Sequence, residues 1–377
     1  MKTVYVVGGF GRNYGDLVLQ ESLFGRLRRF ASGPINIVPI DCQATRFHEG
    51  LVDLINETGS LLIVGGGGFI FHRPEDKSVS GWQFNISISL LKKLRVPLVV
   101  YGIGYNRFFF DDRGFKKELT PHLQQTQLHA ELFSTRDAGS RSELVRLGLS
   151  ENDIEVIPDP AIFSQAITPS DLPILTKSAL KIGLNWAGDR NYYRFPEPWV
   201  EAREKEIEII SGALRIFAEK NDAVFYWIPH LAGVDAEVEH KFRSRLGDLL
   251  VNIEEEMAWL YPPSLINARF LTGVYGQMDL VLGMRGHANI IPFGQEVPFI
   301  ALGSHDKNRF FLEQIGNPEN IFDAVRDSKN SDIDYLLSIL NRLKRETAAL
   351  KFQYRMKFKE LSLAADAFDR KVAELMS

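Results

Sequence analysis

The chain has 377 residues, of which 45% are hydrophobic and 24% charged. That is an ordinary composition for a globular protein and a length suited to two domains. Its formal net charge of −4 offers no basic field for nucleic acid, and its single cysteine, Cys42, excludes an intramolecular disulfide framework. No stretch approaches the roughly 18 uninterrupted apolar residues of a membrane span. Met1–Gly8 enters directly into a short apolar run that ends in glycine. This reads as a first strand rather than a secretory leader, so a cytoplasmic protein is expected.

Apolar runs alternate with amphipathic segments through the first half. The predicted strands are Thr3–Val7, Asn36–Ile40, Leu61–Val64, Leu98–Tyr101, Leu132–Thr135 and Glu155–Ile157. The predicted helices between them are Asp16–Phe30, Glu49–Glu57, Gly81–Leu94, Phe115–Gln127 and Ala138–Leu147. Such alternation builds a parallel sheet covered on both faces. Asp159–Ala179, with Pro160, Pro169 and Pro173, reads as a linker. The pattern then restarts with strand Leu180–Asn185, helix Trp199–Lys220 and strands Ala223–Ile228, Asp279–Leu282 and Phe299–Ala301. A helical region from about Ser331 to Met376, broken near Ser362, closes the chain. The expected class is therefore α/β. Two Rossmann-like domains, 1–165 and 178–335, are followed by C-terminal helices over 336–377, with a GT-B-like cleft between the domains. The 26 phenylalanines are assigned mainly to the cores.

Ligands in such sheets bind beyond the carboxyl ends of the strands, so the motifs there carry the functional reading. The first strand opens into Gly8-Gly9-Phe10-Gly11-Arg12-Asn13-Tyr14-Gly15-Asp16. Glycines let a ligand approach the backbone, and a helix N-terminus welcomes an anion; Asp16 can equally cap that helix. The spacing G-x-G-x-x-x-G differs from the dinucleotide fingerprint, although Asp41 stands where a ribose-binding acid would. Gly65–Gly68, including Gly66 and Gly67, and Gly102-Ile103-Gly104 end two further strands. Together these three describe a cleft floor with few side chains.

Arg136 and Asp137 follow the fifth strand, either as an anion site or as a local ion pair with a helix cap. Asp159 sits between two prolines, as a site carboxylate or a turn residue. In the second half, Arg285-Gly286-His287 follows an apolar strand. A fixed guanidinium suits phosphate or carboxylate, and histidine exchanges protons near neutral pH. His305 and Lys307 follow the next strand, on the same cleft edge or in an exposed loop. His230 is a secondary candidate, and His72 and Arg73 call for the same caution. Cys42 is read as a buried or strand-end thiol rather than a nucleophile. No metal-ligand spacing, nucleophile elbow or Walker loop is present.

Taken in order, Asn13-Tyr14-Gly15-Asp16, Gly65–Gly68, Gly102-Ile103-Gly104, Arg136-Asp137 with Ser140, Asp159-Pro160-Ala161 and Arg285-Gly286-His287 resemble the polysaccharide pyruvyl transferase family. The chain departs from that pattern at Tyr105, where a proline is common, and at Ser304-His305, where an aromatic often precedes the lysine. The resemblance implies a GT-B-like enzyme that uses phosphoenolpyruvate as donor substrate, with no cofactor and no metal, to place a pyruvate ketal on a sugar. It implies His287 as general acid and Arg285 beside it, with Asp16 or Asp159 as base. Asn13, Gly66, Gly67, Gly104, Arg136, His230, His305 and Lys307 would bind substrate.

The implied partners are phosphoenolpyruvate and a lipid-linked or nucleotide-linked sugar. Basic helix faces at Arg26, Arg28 and Arg29, and at Lys92, Lys93 and Arg95, are candidates for peripheral membrane contact. A GT-B glycosyltransferase using a nucleotide sugar is the alternative. An NAD-dependent oxidoreductase leaves Gly65–Gly68 and the Arg-Gly-His motif unexplained, and a silent sugar-binding protein is the reading from outside catalysis.

Overall fold

A computed structural model of the chain describes residues 1–71, 78–111, 114–167, 179–231, 233–256, 265–303, 305–326 and 331–376. His72, Arg73, Ser304 and most of the expected linker, with Pro169 and Pro173, lie outside the described residues.

The first half contains β1 (Lys2–Gly8), α1 (Tyr14–Phe30), β2 (Ile35–Asp41), α2 (Glu49–Thr58), β3 (Leu61–Ile70) and α3 (Ile88–Leu91). β4 (Leu98–Tyr105), α4 (Leu119–His129), β5 (Leu132–Thr135), α5 (Ala138–Arg146) and β6 (Glu155–Val156) complete it. A 3-10 turn at Pro160–Phe163 leads onward. The second half runs β7 (Leu180–Asn185), α6 (Asn191–Arg194), α7 (Trp199–Asn221), β8 (Ala223–Trp227), α8 (Ala236–Leu246) and β9 (Leu250–Asn252). It continues with α9 (Ile253–Glu256), α10 (Leu265–Gly276), β10 (Leu280–Gly283), α11 (His287–Gly294), β11 (Phe299–Leu302), α12 (Asp306–Ile315), β12 (Ile321–Phe322) and α13 (Ile333–Leu375).

The strands form two six-stranded sheets, ordered β2-β1-β3-β4-β5-β6 and β12-β11-β10-β7-β8-β9. The pairings between these strands are parallel, as at Val4 opposite Ile37 and Leu282 opposite Leu184. Strands such as Leu61–Val64 and Val281–Leu282 are wholly buried because helices cover both faces, and each sheet therefore needs a near-continuous apolar strand. This is the α/β arrangement expected from the sequence.

Several elements differ from expectation. The stretch 81–87 is irregular, and only Ile88–Leu91 is helical. Trp82, Phe84 and Ile86 are buried at a spacing of two, while Gln83 and Asn85 face the cleft, so this segment follows the strand period rather than the helical one. α4 begins at Leu119, not Phe115. β9 and β12 are short edge strands with too few residues to stand out as apolar runs. α13 is continuous through Ser362, whose hydroxyl bonds back to the Phe358 carbonyl at 2.7 Å without breaking the helix.

α13 joins the two halves. Its first part buries Leu336, Leu340, Leu343 and Tyr354 against the second sheet's core. Its last part buries Phe368 and Val372 with Val4, Leu23 and Leu61 of the first. Arg26, read above as a membrane-facing residue, is instead buried and ion-paired with Asp366 at 2.7 Å and Asp369 at 2.5 Å. Tyr101 donates to the other Asp369 oxygen at 2.7 Å.

Candidate active site

Each sheet has one place where strand order reverses, and there the chain leaves a crevice. In the first sheet it lies between β1 and β3, flanked by the loop 9–13 and the glycine-rich end of β3. In the second it lies between β7 and β10, flanked by the loops 186–190 and 284–286. The two crevices face each other across a cleft of about 660 Å³. The walls touch directly: the Tyr14 amide donates to the His230 carbonyl at 3.0 Å.

His287 opens α11 on the second-half wall, and its ring lies between two carboxylates of the first half. Nδ1 is 3.6 Å from Asp16 and Nε2 is 3.6 Å from Asp159. Asp16 is partly exposed to the cleft and Asp159 is buried. Burial alone would raise the Asp159 pKa, but His287 and Arg136 overcome it and hold the carboxyl below its ordinary range. The helix cap is Asn13, whose side chain accepts from the Gly15 amide at 3.0 Å, not Asp16. Asp16 is thereby left to face His287.

Arg136 is buried, 3.4 Å from both Asp137 and Asp159, with its Nη2 lacking any hydrogen-bond partner among the described residues. Asp137 also caps α5 through the Ser140 amide at 2.6 Å, so the local ion pair with a helix cap is present. Lys307 lies in the first turn of α12. Burial, then Arg136 and Arg194, lowers its pKa well below that of an ordinary lysine. Five arginines line the cleft with it: Arg12, Arg136, Arg190, Arg194 and Arg285.

Arg285 is more confined than its motif implies. Its guanidinium bonds Asp235 through Nη2 at 2.5 Å and Nε at 3.2 Å, and lies 2.9 Å from Asp189. Burial disfavours its charge, yet these two carboxylates raise its pKa. Asp235 is fully buried and also accepts from the amides of Gly188, His230 and Leu231. Arg285 is thus a fixed part of the wall.

His230 and His305 line the cleft but are buried, and burial followed by nearby cations lowers both pKa values well below that of free histidine. His230 Nε2 meets the Tyr275 hydroxyl at 2.7 Å. His305 stacks on Phe108 with centroids 5.2 Å apart. Cys42 lies at the end of β2 as a buried thiol of the cleft wall, and Asp41 turns the backbone by accepting from the Gln43 and Ala44 amides.

Of the glycines expected to floor the cleft, Gly9, Gly11, Gly66 and Gly68 line it, whereas others make room for neighbouring side chains. Gly66 and Gly67 have φ of 82° and 83°, and a Cβ at Gly66 would lie 2.1 Å from Leu19 Cδ2. A Cβ at Gly104 would lie 2.3 Å from Arg136 Nε. Gly66 lines the cleft; Gly67 and Gly104 do not. The space beside Gly104 is thus filled by a site side chain rather than left open for a ligand.

Asp189, Arg190, Arg194 and Asp235 escaped the sequence reading. Burial, countered by Arg194 and Arg285, leaves the Asp189 carboxyl strongly acidic, and Arg194 is lowered to about 10 by burial with Arg285 and Arg190 nearby. Arg190, in a left-handed conformation at φ 56°, lies 4.3 Å from the Phe71 ring centroid. The signal was available: Trp186–Arg190 follows the apolar strand β7 just as Met284–His287 follows β10. On the opposite wall the lining is rich in neutral amides, namely Gln20, Gln43, Gln83, Asn85 and Asn106.

The fold has solved relatives. Staphylococcus aureus MnaA in complex with UDP superposes with a TM-score of 0.58 at 11% identity, over 94% of this chain and 90% of that one. A putative UDP-N-acetylglucosamine 2-epimerase from Listeria monocytogenes gives 0.59 at 13%, covering 94% and 91%. A UDP-glucosyltransferase from Polygonum tinctorium gives 0.55 at 10%, covering 100% and 98%. At these identities the likeness is one of fold, and that fold is GT-B type. No curated protein sequence is significantly similar to the chain. The sequence model of the polysaccharide pyruvyl transferases, however, matches residues 13–306. That span runs from the cap of α1 to the start of α12 and takes in His287, Asp16 and Asp159, and the chain belongs to the polysaccharide pyruvyl transferase family.

Proposed function

We propose that this protein moves the enolpyruvyl group of phosphoenolpyruvate onto a sugar, as a ketal, during surface or exopolysaccharide assembly. The observation that carries this reading is His287 held between Asp16 and Asp159 in a cleft rich in cations. Phosphoenolpyruvate carries a phosphate and a carboxylate, and Arg136 and Lys307 supply positive groups beside His287. His287 gives its proton to the donor's methylene carbon, and the neighbouring carbon accepts electrons from a sugar hydroxyl. Asp16, the more exposed carboxylate, takes that hydroxyl's proton. A second hydroxyl then gives its proton to the now neutral His287, displaces inorganic phosphate from the same carbon and closes the ketal. Asp159 stays ionised and positions the imidazolium. The amide-lined wall suits an uncharged sugar surface, with the sugar carried on a lipid or a nucleotide.

The test is thermal stability with phosphoenolpyruvate against a panel of nucleotide sugars. A ligand at 100 times its Kd that binds only the folded state stabilises it by about 2.7 kcal/mol. Phosphoenolpyruvate should raise Tm, and Lys307→Ala should remove the rise; Arg285→Ala is unsuited because it leaves the buried Asp235 carboxylate without its cation. A rise with a nucleotide sugar alone would move the donor to glycosyl transfer, and no response to phosphoenolpyruvate would reject the proposed donor.

A further inference from the structure

The long helix α13 has a face that neither sheet covers. Phe352, Met356 and Leu363 are 63%, 50% and 73% exposed. They recur at the four- and seven-residue spacing that aligns side chains along one side of a helix. Arg345, Lys359 and Arg370 continue the same stripe and are all exposed, which makes it about 38 Å long. The charge around it is local: residues 344–360 hold six basic side chains and two acidic ones, a net of +4 in a chain whose total is −4, and +3 once Glu296, paired with Arg355, is included. The acidic Asp366 nearby is already engaged by Arg26. At its C-terminal end the stripe meets α1, where Arg370 lies 5.9 Å from the Phe30 ring beside the exposed Arg29.

Exposed apolar side chains within a basic rim are the pattern of a helix that lies in a membrane interface. A second copy of this chain is a poorer occupant. A two-fold pairing places the same basic patch against itself, whereas anionic headgroups neutralise it. We propose that this face of α13 docks on an anionic phospholipid surface, with Phe352, Met356 and Leu363 at the boundary of headgroups and acyl chains. Arg345, Lys359 and Arg370 then meet the lipid phosphates. This relocates the membrane contact from the basic residues of the first half to the C-terminal helix, with Arg29 at its margin.

The full chain is sedimented with vesicles of phosphatidylcholine and phosphatidylglycerol in equal parts, and with vesicles of phosphatidylcholine alone. Binding is expected to the first and to be weakened by salt. Each basic residue at such a surface contributes about fivefold, so Arg345→Glu with Lys359→Glu should lower partitioning on the order of tenfold or more. The triple change Phe352→Ser, Met356→Ser and Leu363→Ser should do the same while leaving Tm and the response to phosphoenolpyruvate unchanged. Failure of the wild type to bind anionic vesicles at low salt would overturn the proposal. So would binding that neither variant weakens, or a concentration-dependent dimer that the triple change abolishes.

Discussion

At the scale of single residues, the site consists of charges that constrain one another. His287→Asn should abolish turnover with little change in Tm, because the ring lines the cleft and its replacement opens space onto that cleft rather than a void in either core; an active, folded variant would remove His287 as the acid. Lys307 has its pKa lowered by burial and by Arg136 and Arg194. An arriving dianion reverses that, so binding of phosphoenolpyruvate should take up protons. Calorimetry in buffers of different ionisation enthalpy reads this uptake, and Lys307→Ala should diminish it. Away from the cleft, Glu206 on α7 is buried with both carboxylate oxygens unpartnered among the described residues, and burial, then Asp323, raises its pKa well above normal. A carboxyl with a raised folded-state pKa binds more protons folded than unfolded, so stability falls as pH rises from the unfolded value through the folded one. Glu206→Gln should therefore gain about 1–3 kcal/mol at pH 8 and much less at pH 4, as chemical denaturation at the two pH values would show.

At the scale of elements, strand ends decide the chemistry and glycines decide the strand ends. Gly104 closes β4 with the Arg136 guanidinium against its backbone. Gly104→Ala should push Arg136 aside at a cost of about 1–3 kcal/mol. It should also diminish the thermal response to phosphoenolpyruvate by more than its loss of stability accounts for; an unchanged response would remove Arg136 from the anion site. The glycine runs were legible in the sequence, but their partners were not. Nothing local in Gly65–Gly68 announces Leu19, and nothing in Gly102-Ile103-Gly104 announces Arg136. The segment 81–87 shows the reverse case, since the alternation of Trp82, Phe84 and Ile86 was present and was masked by its amphipathic surroundings.

At the scale of the molecule, α13 fixes the two sheets to each other. Its anchor on the first half is the buried group Arg26, Asp369 and Tyr101. Arg26→Met should cost about 3–5 kcal/mol by stranding Asp369. It should also separate melting of the two halves, visible as two calorimetric transitions. The alternation of apolar strands and amphipathic helices, readable residue by residue, was enough to determine an α/β chain with two sheets, because a doubly covered parallel strand must be apolar on both faces. The ordered strand-end motifs were enough for the family. Strand order is another matter, since it is set by which apolar faces pack best together across the whole chain and leaves no mark at any one position. It was the tertiary structure that put β1 beside β3 and β7 beside β10, brought Asp189 and Arg194 to the cleft, confined Arg285 between carboxylates, and set His287 between Asp16 and Asp159 from the opposite sheet.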